Sequence, residues 1–220
     1  MVNYNISISN GSRNDVIQYI QQNKSVKKFT VVDVGGSLGG WSSNYVDAIV
    51  DFNDICVNDN QQIKHFKCDI THPDSWNEIL LYVETNGKFD FCICTHTLED
   101  IMNPGYVSEQ IQKIANAGYI AVPSKFRELS RFEIGSNSYR GYIHHRWIFD
   151  IINNTFIGYP KINYLDSTNV FDKISDLDDN KKDLSFFWEE TIDIVYIHNN
   201  YLGPSVNSVI DYYNDLLKNE

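Results

Sequence analysis

The chain has 220 residues, enough for one hydrophobic core of ordinary size. Eighteen basic against twenty-nine acidic residues leave a formal net charge of −11, a field that repels phosphate polymers and anionic lipid, so no nucleic-acid and no membrane partner is expected. Four cysteines (Cys56, Cys68, Cys92 and Cys94) form no C-x-x-C pair and are too few to staple a scaffold, and no apolar run approaches the roughly 20 residues of a membrane span, so a cytoplasmic protein is expected.

Residues 11–23 predict a helix, with Val16, Ile17 and Ile20 on one face and Ser12 as its cap. A β-branched run over 27–33 predicts a buried strand that ends on an acidic residue and runs into glycines. Residues 48–52 and 63–68 read as a second and a third strand. The stretch 73–84 has helix chemistry, with proline in the first turn and Ile79, Leu80 and Val83 spaced to share a face. A fourth strand follows at 89–94, then a helix over 104–117 with Gly118 as its stop, and a fifth strand at 119–122 closed by Pro123. Alternating strands and helices predict a parallel sheet with crossover helices.

Beyond residue 124 the pattern changes. Residues 184–188 and 192–197 read as two strands of a hairpin around 189–191, the charge-rich stretch 172–183 as a solvated loop, and 205–217 as a closing helix. With no repeat and no linker composition, one domain over 1–220 is expected. Its parts are an N-terminal helical cover (1–26), a cofactor-binding half (27–124), and an acceptor-binding half with the C-terminal hairpin (125–220).

The chemistry concentrates at strand ends. In VVDVGGSLGG (31–40) a strand passes through Asp33 into a glycine-rich turn, where glycine permits positive φ and close approach of a ligand to the main chain. Asp51 ends the second strand, where a carboxylate can accept both hydroxyls of a ribose lying across the sheet edge. Asp69 follows the third strand, and HTLED (96–100) follows the fourth. In such sheets ligands sit outside the carboxyl ends of the strands.

On these residues, the stretch 29–124 resembles the class I S-adenosylmethionine-dependent methyltransferases. VVDVGGSLGG is similar to that family's first motif, and FDFCICTHTLEDIMNP with IAVPS is similar to its fourth- and fifth-strand blocks. Ser37 stands where the second glycine is usual, and Asp100 replaces the usual second histidine. The resemblance implies a Rossmann-like α/β fold: a mostly parallel seven-stranded sheet with an antiparallel last strand and helices on both faces. It implies S-adenosyl-L-methionine as cofactor, with Asp33 and Gly35 near the methionine portion. Gly36, Ser37 and Gly39 would complete the turn, Asp51 would hold the ribose, Asp69 and Ile70 would flank the adenine, and Thr95 would stand at the fourth strand end.

Methyl transfer to an alcohol gains from a general base, and His96 and His145 are the expected candidates. Arg140, His144, Arg146 and Trp147, in the segment RGYIHHRW, read as an acceptor loop whose rings and forked donors suit a sugar, a nucleotide sugar or a phosphorylated small molecule. Sequences with H-R-W after the fifth strand resemble methyltransferases associated with glycan modification, so O-methylation of a sugar or glycan hydroxyl is the leading expectation. No metal is assigned, because no spacing of Asp and His residues demands one. A homodimer is an open expectation, the aromatic C-terminal strands covering either a core or a partner. The rival readings are a nicotinamide-dependent oxidoreductase or epimerase, since Gly35 to Gly40 also fits G-x-S-x-x-G, and a non-catalytic binding protein on the same fold.

Overall fold

The structure is a computed structural model that describes residues 9–53, 63–132, 138–174, 181–197 and 206–218. Cys56, Ser205 and positions 175–180 of the charge-rich stretch lie outside the described residues. The chain divides into two compact units. Unit 1 comprises residues up to Leu98, Met102–Ala121 and Ser185–Asp193; unit 2 comprises Glu99–Ile101, Val122–Leu184 and Ile194 onward.

Unit 1 is built on a seven-stranded sheet. Its strands are β1 (Ser9–Asn10), β2 (Val31–Val34), β3 (Ala48–Asp51), β4 (Lys64–Lys67), β5 (Phe91–Thr95), β6 (Ala117–Pro123) and β9 (Asp183–Glu189), in the spatial order β1-β9-β6-β5-β2-β3-β4. The pairs β2–β3, β2–β5, β3–β4 and β5–β6 are parallel, and β1 is antiparallel to β9. Taken alone, the five parallel strands run 3-2-1-4-5 in chain order, the doubly wound Rossmann-like arrangement. β2 and most of β5 are buried on both faces, which is why they read as unbroken apolar runs.

Helices cover both faces. Helix α1 (Arg13–Val26) starts at a capping box, with Ser12 Oγ accepting from the Asp15 amide and Asp15 accepting from the Ser12 amide at 2.8 Å. Its Val16 and Ile20 join Val31, Ile49, Phe91, Ile93 and Tyr119 in one core. On the opposite face, α2 (Asn77–Asn86) follows a 3₁₀ turn at Pro73–Trp76 and sets Tyr82 edge-on against Phe66. Helix α3 (Pro104–Ile114), capped by the Asn103 side chain, packs beside α2.

Two expectations about elements fail. Gly118 does not stop α3, which ends at Ile114; it lies inside β6, where a Cβ would strike the Trp188 ring and the Cys92 carbonyl. The glycine is there for close packing, not for a turn. The runs at 184–188 and 192–197 are not a hairpin either. β9 belongs to the seven-stranded sheet, whereas β10 (Ile194–Tyr196) pairs parallel with β8 in another sheet. Glu190 at φ +64 breaks the extended backbone between them.

Unit 2 holds a three-stranded sheet in the order β10-β8-β7. β7 (Trp147–Ile152) and β8 (Thr155–Pro160) form an antiparallel hairpin closed by Asn153 and Asn154, both at positive φ. Short helices α4 (Lys125–Leu129) and α5 (Tyr164–Ser167) and the closing α6 (Val206–Lys218) complete the unit. Its core gathers Leu129, Ile148, Tyr159, Leu165, Phe171, Tyr213 and Leu216. Among the described residues no helix is long and apolar enough to cross a membrane.

Candidate functional site

In unit 1 the candidate site is the carboxyl edge of β2, β3, β4 and β5. Val34 stands opposite Val50 and the Gly35 amide donates to the Val50 carbonyl at 2.8 Å, so the glycine turn and Asp51 leave the sheet side by side. Gly35 has φ +79, and a Cβ there would collide with the Thr97 side chain; a Cβ on Gly36 would collide with the Asp33 carboxylate. The turn is thus drawn tight against β5 on one side and onto a buried acid on the other. Gly39, at φ +84, faces open space, and Ser37 closes the turn by accepting the Gly40 amide at 3.1 Å through its carbonyl. Between this turn and β3 the described chain runs in turns with no helix, so no helix N-terminus stands behind the glycines.

Asp33 lies beneath the turn, 3% exposed, and accepts a hydrogen bond from the Ser42 hydroxyl. Burial pushes its carboxyl up to about 7; the Ser42 bond opposes the rise and the Asp51 carboxylate adds to it. Asp51 also anchors the next turn, accepting the Asn53 amide at 2.8 Å and its side-chain amide at 3.0 Å. Asp69 accepts the Thr71 hydroxyl at 2.6 Å and its amide at 3.0 Å, bonds that hold its carboxyl below the usual range. Asp69 is therefore a turn cap, whatever else it does. Ile70 receives the Trp76 indole N–H on its carbonyl at 3.0 Å, fixing the loop after β4. Thr95 ends β5, and the exposed His96 next to it takes φ +51 while its amide donates to the Ala121 carbonyl at 2.8 Å. His96 is thus a non-glycine residue held at positive φ at a strand end.

In unit 2 the acceptor-loop expectations divide. Arg140 is corrected: it is wholly buried, its Nε donating to the Leu165 carbonyl at 2.9 Å, Nη1 to Leu129 at 2.9 Å, and Nη2 to Thr168 at 2.6 Å and to Asp172 at 2.5 Å. Four of the five guanidinium N–H donors are spent on this chain and the side chain is fully buried, so the group ties the segments carrying Leu129, Leu165, Thr168 and Asp172. Trp147 is also core, 8% exposed, with its indole N–H on the Ile101 carbonyl at 2.8 Å and its ring 4.9 Å from that of Tyr196. Arg146 is exposed and is fixed through Nε to the Asp100 carbonyl at 3.1 Å. His144 is open to solvent, its side chain 61% exposed.

His145 is buried and strongly directed. Its Nδ1 lies 2.7 Å from Glu128 Oε1, and the other oxygen of that fully buried carboxylate takes Lys161 Nζ at 2.6 Å. Gly141, at φ +56, lets the chain pass over Glu128, where any Cβ would collide with its carboxylate and main chain. Sequence reading missed Glu128 and Lys161, which carry no local motif. It also missed a cavity of about 380 Å³ lined by Ser124, Lys125, Phe126, Phe149, Asp150 and Lys181, with the Lys125–Asp150 pair at 3.2 Å.

No family model matches the chain. No curated protein matches it either. Solved structures offer distant likenesses. One is a cyclopropane-fatty-acyl-phospholipid synthase-like protein from Lactobacillus casei ATCC 334, 13% identical over 55% of each chain with a TM-score of 0.34. The MycE methyltransferase from the mycinamycin biosynthetic pathway is similar in two complexes. With Mg and SAH it is 11% identical over 90% of this chain and 51% of its own, with a TM-score of 0.37. With Mg, SAH and mycinamycin VI it is 9% identical over 90% of this chain and 53% of its own, with a TM-score of 0.38. The chain spans about half the length of each of these. Likenesses this distant do not say what the chain binds.

The geometry of unit 1 itself defines what that edge can hold. The Gly35–Gly36 main chain, the Asp51 carboxylate at the neighbouring strand end and the capped loop at Asp69 after the third strand present donors and acceptors along one edge of the sheet. That set suits a nucleoside lying across strand ends. It does not suit a pyrophosphate, which is held where amides converge at a helix N-terminus.

Proposed function

We propose that the chain is an S-adenosylmethionine-dependent methyltransferase acting on a hydroxyl, with a sugar, nucleotide sugar or glycan as the acceptor class. The carrying observation is the side-by-side exit of the Gly35–Gly36 turn and Asp51 from β2 and β3, above the buried Asp33. Asp51 would take the ribose hydroxyls, the main chain of 35–39 would lie along the methionine portion, and the loop carrying Asp69 and Ile70 would border the adenine. When bound, the cofactor supplies a methyl group on a sulfonium sulfur.

The protein's part is alignment and proton removal. An acceptor hydroxyl held beside that methyl group would give up its proton to a base of this chain as its oxygen is methylated. His96 is the base in this reading, because its strained backbone sets it at the same strand edge as the glycine turn. The turn-only connection after Gly40 speaks against the nicotinamide alternative.

Calorimetry with S-adenosylhomocysteine tests the cofactor. Wild type should give a one-site isotherm and Asp51→Ala a loss of at least about tenfold in affinity, as expected when a ribose loses a hydrogen-bonded carboxylate. A flat wild-type isotherm overturns the proposal. For the base, His96→Ala at saturating cofactor should lower turnover about a hundredfold or more with cofactor affinity unchanged.

A further inference from the structure

The cluster around His145 has a property that the methyltransferase reading does not use. Glu128 is a carboxylate, since Lys161 is bonded to it, and its Oε1 lies 2.7 Å from His145 Nδ1. The bond at Nδ1 fixes the ring and leaves Nε2 on its other side. That nitrogen lies 3.6 Å from Asp100 Oδ1, and His144 Nε2 lies 3.7 Å from the same oxygen. Neither separation is a hydrogen bond. Asp100 Oδ1 is itself buried and accepts no hydrogen bond. Two imidazole nitrogens and a carboxylate oxygen therefore converge within 4.8 Å of one another.

We infer that Asp100, His144 and His145 are the protein ligands of a divalent first-row transition cation such as Zn²⁺ or Fe²⁺. The spacing fits, since two donors each about 2.0–2.1 Å from a tetrahedral ion stand about 3.3–3.4 Å apart. The donor types fit too. Imidazole pairs with a carboxylate select such ions, whereas Mg²⁺ and Ca²⁺ prefer all-oxygen shells. Glu128 completes the design as the carboxylate that orients a ligating histidine through its other nitrogen, with Lys161 holding Glu128 in turn. The Asp100 carboxylate oxygen, which accepts no hydrogen bond, supplies the anionic ligand. Three protein ligands leave a coordination position for water or for an oxygen of a small molecule. All the groups involved lie in unit 2, so the inference stands or falls independently of the cofactor site.

The test uses tag-free, full-length protein cleared of metal with a chelator and titrated with Co²⁺, whose visible absorption reports nitrogen–oxygen coordination. Wild type should saturate at one equivalent, and a hundredfold excess of Mg²⁺ should not displace the ion. His144→Ala should weaken binding at least tenfold, and so should Asp100→Asn. His144 is exposed, so its variant keeps the test sound even if His145→Ala fails to fold. Asp51→Ala should bind Co²⁺ as wild type does, whatever its affinity for S-adenosylhomocysteine. Absence of a saturable band, displacement by Mg²⁺, or unchanged affinity in both His144→Ala and Asp100→Asn would each overturn the assignment.

Discussion

Units 1 and 2 are stabilised by different kinds of interaction. In unit 1 the determinants are short in sequence: a box between Ser12 and Asp15, apolar runs in β2 and β5, a capped turn from Asp69 to Thr71. In unit 2 they reach across the chain. Arg140 alone joins the segments carrying Leu129, Leu165, Thr168 and Asp172. Local periodicity can announce the first kind of structure, because a strand or helix repeats its burial pattern every two or 3.6 residues. It cannot announce the second, in which one buried polar side chain ties together segments far apart in sequence.

The sharpest way to break this contrast is to remove the tie. Arg140→Ala leaves the Leu129 and Leu165 carbonyls without their guanidinium donor inside unit 2 and takes one donor from Thr168 and Asp172, at a cost of about 2–6 kcal/mol, from about 1–3 kcal/mol for each buried carbonyl left unpaired. Hydrogen exchange should quicken across Ile148–Ile151 in β7 and stay slow across Val31–Val34 in β2. Equal acceleration in both strands would mean that the two units do not differ in the way described.

A second effect belongs to unit 1 and has the opposite sign. Asp33 is held up to about 7 by burial, against the usual acidic value when unfolded. Below both values the group is neutral in either state and costs nothing. As pH rises towards 7 the unfolded chain releases the proton first, so stability falls by about 1.4 kcal/mol per pH unit across that window and then levels off. Asp33→Asn mimics the neutral acid. It should flatten the pH dependence of urea stability between about pH 4 and 7, and should exceed wild type at pH 8 by about 4 kcal/mol. An unchanged slope would show that Asp33 does not carry that term.

The same contrast explains what could be read beforehand. The parallel sheet, both covering faces, α1 with its cap, and the clustering of Asp33, Gly35 and Asp51 were legible because each is written in neighbouring residues. The Asp100, His144 and His145 cluster was not, since it joins positions more than forty residues apart and forms only when the chain folds. Gly118 misled because a glycine after a helix usually stops it, and nothing nearby announces that Trp188 packs over that position. Arg140 misled for a related reason. An arginine beside histidines and aromatic residues looks like a ligand contact until it is seen to be wholly buried, with four of its donors bonded within the chain.

The hairpin β7–β8 was legible in principle, and it supplies the gentlest test. Ile152 pairs with Thr155, so Asn153 and Asn154 form a two-residue loop with φ +50 and +64. Positive φ at both positions is the type I′ geometry, which matches strand twist and favours Asn followed by Gly. Asparagine tolerates that region better than other side chains, but the second position still carries a Cβ that glycine lacks. Asn154→Gly should therefore raise stability, though only by about 0.5 kcal/mol, because glycine also loosens the unfolded chain. Asn154→Val should lower it by about 1 kcal/mol or more, a β-branched residue being poorly suited to that backbone. The urea midpoints of the two variants should straddle that of wild type. If both fell on the same side, the loop would not be a type I′ turn, and the register from Trp147 to Pro160, which carries Trp147 onto Ile101, would need another cause.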